Sequence, residues 1–266
     1  MSSLEITAHA LRVDRKSLFW WAIGLVLTTV LFLVFYPSIA DNAAAYRQAI
    51  EGLPDALKAF AGGEGDPVSP GGYMQGQFFA SLGAWLFFAF GVARGGRAIA
   101  GDEDDGTLEL VVAAPVGRTR IVAERALAMA IELAVVSLVT WLTLVVLGPP
   151  FELDLPASDY AAGVVGLGMG AWVFGALALA VGAATGRPAV AYGVGGAAAA
   201  LAFLCTVLAP LTDILNDRRE LSPGWQSFGT RPIETGFHAG DMAILAVEGL
   251  VFIAVGTWLF LRRDIH

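Results

Sequence analysis

The residues with chemical potential are few and lie far apart. The longest polar run is Gly101-Asp-Glu-Asp-Asp-Gly-Thr-Leu-Glu-Leu-Val-Val-Ala-Ala-Pro-Val-Gly-Arg-Thr-Arg120, the most charged stretch of a largely apolar chain. Its acids at 102–105 suit the start of a helix, where the backbone dipole favours negative charge. Pro115 would separate a first short helix from the next. Between two hydrophobic runs, such a segment is either a solvated tether or a docking surface. Two carboxylates, Glu132 and Glu248, fall inside apolar runs. An ionised side chain at the centre of a membrane costs about 2.5–3.5 kcal/mol on insertion scales, so each serves either an inter-helix hydrogen bond or a substrate pathway.

Other chemistries are poorly supplied. A phosphate-binding loop needs a glycine-rich turn ending in Gly-Lys-Ser/Thr. The only lysines are Lys16, after Arg15, and Lys58, before Ala59, so the chain has no such loop. His9, His238 and His266 lie in different segments, and no His/Cys/carboxylate cluster has metal-ligand spacing. There is no Gly-x-Ser-x-Gly elbow of a serine hydrolase. The single thiol, Cys205, excludes a disulfide framework and reads as a small buried apolar side chain.

What must position the polar residues is a set of apolar helices. Hydrophobic residues make up 56% of the 266 and charged ones only 15%, against about 25% charged in soluble domains. The formal net charge of −8 gives no sign of nucleic-acid binding. Apolar runs occur at 18–40, 73–94, 121–148, 160–185, 188–210 and 241–261. Each can cross a hydrocarbon core of about 30 Å, and in that medium the backbone is forced into helix. The expected fold is therefore an all-α integral membrane protein with six transmembrane helices. Six crossings put both termini on one side. With that side inside, eleven Lys and Arg residues lie in inner segments against five in outer ones, so the termini and 95–120 are expected in the cytoplasm.

The connecting segments differ in character. Residues 4–19 alternate Leu, Ile and Val with Arg12, Asp14, Arg15 and Lys16, the pattern of an interfacial helix. Ser38-Ile39-Ala40 resembles a signal cleavage site, but the preceding apolar run is too long for a signal core, so the first span is read as retained. Outer segments are expected at 41–72, 149–159 and 211–240, the last with a short helix over 211–220 and irregular chain beyond. Gly166-x-x-x-Gly170 and Gly182-x-x-x-Gly186 fit close helix packing. Trp20, Trp21 and Trp258 fit an interfacial belt.

The stretch from Ala98 to Arg120 resembles the pattern that follows the second span in ABC-2-type transporter permeases: an acidic run, Gly-Thr-Leu, a few apolar residues, Pro and Arg. Glu103, Gly106, Thr107, Leu108, Pro115 and Arg118 fill those places. Tyr36-Pro37-Ser38, Leu53-Pro54-Asp55-Ala56-Leu57 and Arg262-Arg263-Asp264 agree, so the likeness covers nearly the whole chain. Gly117 departs from it, since the family more often has Ser there, and a possible capping hydroxyl is lost. The resemblance implies a permease domain over 1–266, paired with a second, identical or related copy in a prokaryotic plasma membrane. It also implies two cytoplasmic ABC ATPase subunits, which bind ATP and Mg while this chain holds no cofactor and is not itself an enzyme. In that scheme 95–120 is a coupling segment seated in an ATPase groove, with Leu108, Leu110 and Val111 packed inside and Arg118 and Arg120 at the rim. The implied activity is export of a hydrophobic or amphipathic molecule such as a drug, lipid or antibiotic, the cavity lining falling on the second and fifth spans. The alternative is a non-transporting subunit that passes mechanical force from the ATPase to an envelope protein or enzyme.

Overall fold

A computed structural model of the chain describes residues 4–54, 57–58, 65–104, 106 and 117–263. Regular structure among the described residues is entirely helical. The elements are α1 (Glu5–Asp41), α2 (Ala43–Glu51), α3 (Pro70–Arg97), α4 (Ala100–Asp104), α5 (Arg118–Leu147), α6 (Ala157–Thr185), α7 (Pro188–Leu208), α8 (Asp213–Asn216), α9 (Pro232–Thr235) and α10 (Ala239–Arg262). Six of them, α1, α3, α5, α6, α7 and α10, are long and apolar enough to cross a membrane. The start of α1, the end of α10 and the described residues between α3 and α5 share one face, the termini face. The opposite end is the far face.

The amphipathic start of the chain is helical, but it is not a separate element. It runs straight into the first span as one helix of 37 residues. No Gly or Pro between Leu4 and Phe19 gives the backbone a place to turn. At 1.5 Å per residue α1 is about 55 Å long, well beyond the roughly 30 Å of a hydrocarbon core.

The glycine- and alanine-rich α6 is the central post, packed against α3, α5, α7 and α10. Its tightest crossing is with α3. A Cβ at Gly95 would lie 1.8 Å from the Gly175 carbonyl oxygen, and one at Gly91 would lie 2.1 Å from that of Ala171. Only paired small residues allow such an approach, and close packing is what joins helices where lipid is as apolar as Leu. On the opposite side of α6, a Cβ at Gly256 of α10 would lie 2.6 Å from the Ala180 Cα. Aromatic rings fill the wider gaps: Phe88 stands edge-on to Phe174 at 4.8 Å, and Phe203 lies 5.6 Å from Phe228.

Two features shape the far face. Helix α3 breaks at Ala80 (φ −97°, ψ 18°) and Ser81 (φ −141°, ψ −120°), within a wide turn over Gln75–Leu82. The Ser81 hydroxyl donates to the Gln77 carbonyl, and a Cβ at Gly83 would meet the Phe78 carbonyl at 2.6 Å. The segment after α8, expected as irregular chain, forms a wide helical turn at Trp225–Gly229 followed by α9. Gln226, Ser227, Phe228 and Ile233 are buried, and the turn seats on α6. Gly166 makes room for it, since a Cβ there would lie 2.2 Å from the Ser227 carbonyl oxygen. Gly166 thus packs this plug, a Cβ at Gly170 would meet both Phe88 of α3 at 2.6 Å and Ser227 of the plug at 2.9 Å, and Gly182 faces the Gly96 carbonyl of α3 and Ala191 of α7.

Candidate functional site

On the termini face, four helix ends are drawn together around Arg263. Its Nη1 donates to Glu103 Oε2 at 2.9 Å and its Nη2 to Oε1, a bidentate clasp between the end of α4 and the end of the chain's last span. Gly186, in the left-handed region at φ 65°, ends α6 beside it. A Cβ there would fall 2.1 Å from Arg263 Nη2 and 2.4 Å from Glu103 Oε2, so the clasp needs glycine in this turn. Arg118, first residue of α5, completes the group. Its Nη1 donates to the main-chain oxygens of Arg263 at 2.7 Å and Phe260 at 3.2 Å, with the guanidinium 5.7 Å above the Phe260 ring. These are the carbonyls that a helix leaves unpaired at its C-terminus, where the dipole also favours a cation.

The start of α1 is tied in by Glu124, a buried carboxylate on α5. Its Oε2 accepts from the backbone N–H of Ile6 at 2.9 Å and Thr7 at 3.1 Å, capping α1 from a different helix because Leu4 has no side-chain acceptor. Arg120 donates to Glu124 Oε1 at 2.7 Å, and Arg125 pairs with Asp102 of α4.

Deeper in, Arg94 of α3 is only 7% exposed and stands between two acids from different helices. Its Nη1 is 3.1 Å from Asp14 Oδ1 on α1, and its Nε is 3.1 Å from Glu132 Oε2 on α5, without the alignment of a hydrogen bond. The Phe90 ring lies 5.0 Å from its guanidinium carbon. A cavity of about 390 Å³ opens beside this triad, between α1, α3 and α5.

The residues singled out from sequence separate into groups. Glu103 and Arg118 meet at Arg263, one through its side chain and the other through its carbonyl. Gly106 adopts φ 69° just past α4, its N–H donating to the Glu103 carbonyl at 3.1 Å. Thr107, Leu108 and Pro115 lie outside the described residues. Glu132 belongs to the triad. Glu248 sits half-buried on α10 with Oε2 unpartnered and contributes nothing to the triad's cavity. Among the described residues, no group of three or more His, Cys, Asp or Glu could hold a metal ion.

Sequence reasoning missed Arg94, Glu124 and Arg263 as site residues, treating the two arginines as markers of orientation or likeness. A signal existed for two of them. Arg94 falls within Gly91-x-x-Arg94-Gly95, on a helix whose glycines invite close neighbours. Glu124 is four residues from Arg120, on one helical face.

Comparison with protein families matches residues 4–265 to the ABC-2 family transporter protein model. A search of curated proteins finds no match. With six membrane-length helices, a polar termini face and a family match over nearly its entire length, the chain belongs to the ABC-2 family of transporter proteins, as a multi-pass membrane subunit.

Proposed function

We propose that this permease exports a hydrophobic or amphipathic molecule by alternating access, driven through its termini face by two copies of a separate cytoplasmic ATPase. ABC transporter permeases in general work with such a partner, and the ATP and Mg would be held there. In this reading the termini face is cytoplasmic, as the Lys and Arg distribution favours, and a second permease copy completes the transporter. Glu103, Gly106, Thr107, Leu108, Pro115 and Arg118 form the coupling surface.

The observation that carries the reading is the clasp at Arg263. Glu103 and Arg118 flank the 107–116 segment on either side, and both hold the end of α10. A push on that segment would reach α10 directly and the α6–α7 turn through the close fit at Gly186. Helices tied in this way move as rigid bodies, the basis of hinge and shear closure. Glu132 and Glu248 remain candidates for the substrate pathway.

The test is co-purification with the ATPase encoded nearest to this chain, comparing wild type with Leu108→Asp. The substitution places an unpaired charge in the proposed groove contact. We expect the ATPase to stay with wild type and be lost from a variant that still inserts and dimerises. Equal recovery from both would remove the docking role from this segment. Stimulation of ATP hydrolysis by amphipathic compounds separates export from pure force transmission.

A further inference from the structure

The triad at Arg94 leaves polar atoms unused in a place where that is costly. Arg94 and Glu132 are both more than nine-tenths buried, yet Arg94 Nη2 and Glu132 Oε1 have no hydrogen-bond partner, and neither does Arg125 Nε. All three residues line the same 390 Å³ cavity, a volume within the range of small-molecule sites, about 300–1,000 Å³. Buried donors and acceptors in native proteins are nearly always satisfied. What satisfies these must accept hydrogen bonds from guanidinium groups and also donate one to a carboxylate.

Charge narrows the choice. Arg94 is shared between two acids, and across the described lining the arginines at 94, 97 and 125 match the acids at 14, 102 and 132. A plain anion or a plain cation would unbalance this wall, whereas a zwitterion adds no net charge. Position narrows it further. The cavity reaches from His9 and Asp14 of α1 to Glu132 of α5, beside the point where α1 passes from Lys16 into the apolar run at Leu18, Trp20 and Trp21. That is the level of phospholipid headgroups on the termini side of the membrane.

We propose that this cavity binds a phosphate ester bearing a primary amine, the group of a phosphoethanolamine headgroup. Its phosphate oxygens take the free N–H groups of Arg94 and Arg125, forming the charge-assisted bonds that guanidinium and phosphate favour. Its ammonium donates to Glu132 Oε1. The ligand thereby bridges α3 and α5, and it is held whether or not the chain transports it.

The test uses the full-length chain, purified in a neutral phosphate-free detergent and stripped of lipid, with thermal unfolding followed by tryptophan fluorescence. A ligand that binds only the folded state raises the midpoint in proportion to its affinity and concentration. The probes are short-chain phosphatidylethanolamine, phosphatidylcholine, phosphatidylglycerol and water-soluble glycerophosphoethanolamine. We expect phosphatidylethanolamine to bind about tenfold tighter than the choline and glycerol lipids, the equivalent of one charge-assisted hydrogen bond. Glu132→Gln should erase that preference, while Asp159→Asn at the far face keeps it. If glycerophosphoethanolamine matches the lipid, the ligand is a free ester; if only the lipid binds, it is a membrane component. Equal midpoints for all headgroups on wild type, or a preference that survives Glu132→Gln, would overturn the assignment. The wild-type headgroup series decides the matter even if the variant fails to fold.

Discussion

The two faces of this protein are held by different forces. On the termini face, charged side chains meet charged side chains from distant parts of the chain: Arg94 with Asp14 and Glu132, Arg125 with Asp102, Arg263 with Glu103. On the far face, neutral donors meet main-chain carbonyls. Tyr73 donates to Phe32 O at 2.9 Å, Gln75 to Phe228 O at 2.7 Å, Tyr160 to Leu153 O at 2.7 Å and Trp141 to Ala157 O at 2.9 Å. Among the described residues, the ion pairs there include an exposed one, Arg47–Asp66, and two local ones, Arg231–Glu234 and His238–Asp241, the last at 3.9 Å. The difference follows from what each face must satisfy. The far face holds backbone outside the long helices: the Phe228 carbonyl belongs to the seated plug and the Leu153 carbonyl to the α5–α6 connection, and such groups need donors in an apolar setting. The termini face has intact helices to align, and long-range charge pairs fix their register.

The largest effect should come from the most buried pair. Arg94→Ala strands two carboxylates and should cost about 3–5 kcal/mol, as breaking buried ion pairs does. Thermal unfolding in detergent would show it, and replacing Glu132 by Gln in the same chain should restore part of the loss. Next comes the α3–α6 crossing, which both faces share. Gly95→Ala forces helix backbones apart and should cost about 1–3 kcal/mol. Gly193→Ala, with nothing within 4 Å of its added carbon, should leave the midpoint unchanged.

The smallest effect belongs to the far face. Asp66 is held below its ordinary value by the Arg47 side-chain hydrogen bond first, then by the Val68 N–H. A carboxylate depressed in the folded state stabilises fully above its unfolded value, near 4, and loses that contribution as pH falls through the lower folded one. Asp66→Asn should therefore flatten a slight loss of stability below about pH 4. An equal loss in both proteins would assign the acid limb to other groups.

The all-helical fold and its six spans were legible because hydrocarbon leaves the backbone no alternative. The continuity of α1 was not read from the sequence: the alternating charges of residues 4–19 suggested a separate element lying in the interface, although no breaker precedes Phe19. Gly166-x-x-x-Gly170 announced a close contact without naming the partners, which proved to be the plug at 225–229 and, for Gly170, also Phe88 of α3. Glu103 and Arg118 stood out by their surroundings, yet their meeting point, Arg263, lies 160 and 145 positions away. Pairing across such distances is fixed by the fold, and local pattern carries no trace of it. Arg94 was hidden for a related reason: counting arginines for orientation treats each as solvated, and this one is buried.

The central claim is that the clasp at Arg263 carries motion from the coupling segment to the helices. The most direct measurement is a charge-exchange cycle, with Glu103→Arg, Arg263→Glu and the double variant each purified with the ATPase partner and assayed for ATP hydrolysis in bilayers. Each single exchange should lower permease-dependent hydrolysis while the ATPase remains bound, and the double exchange should recover most of it. Single variants as active as wild type, or a double variant no better than the worse single one, would contradict that claim.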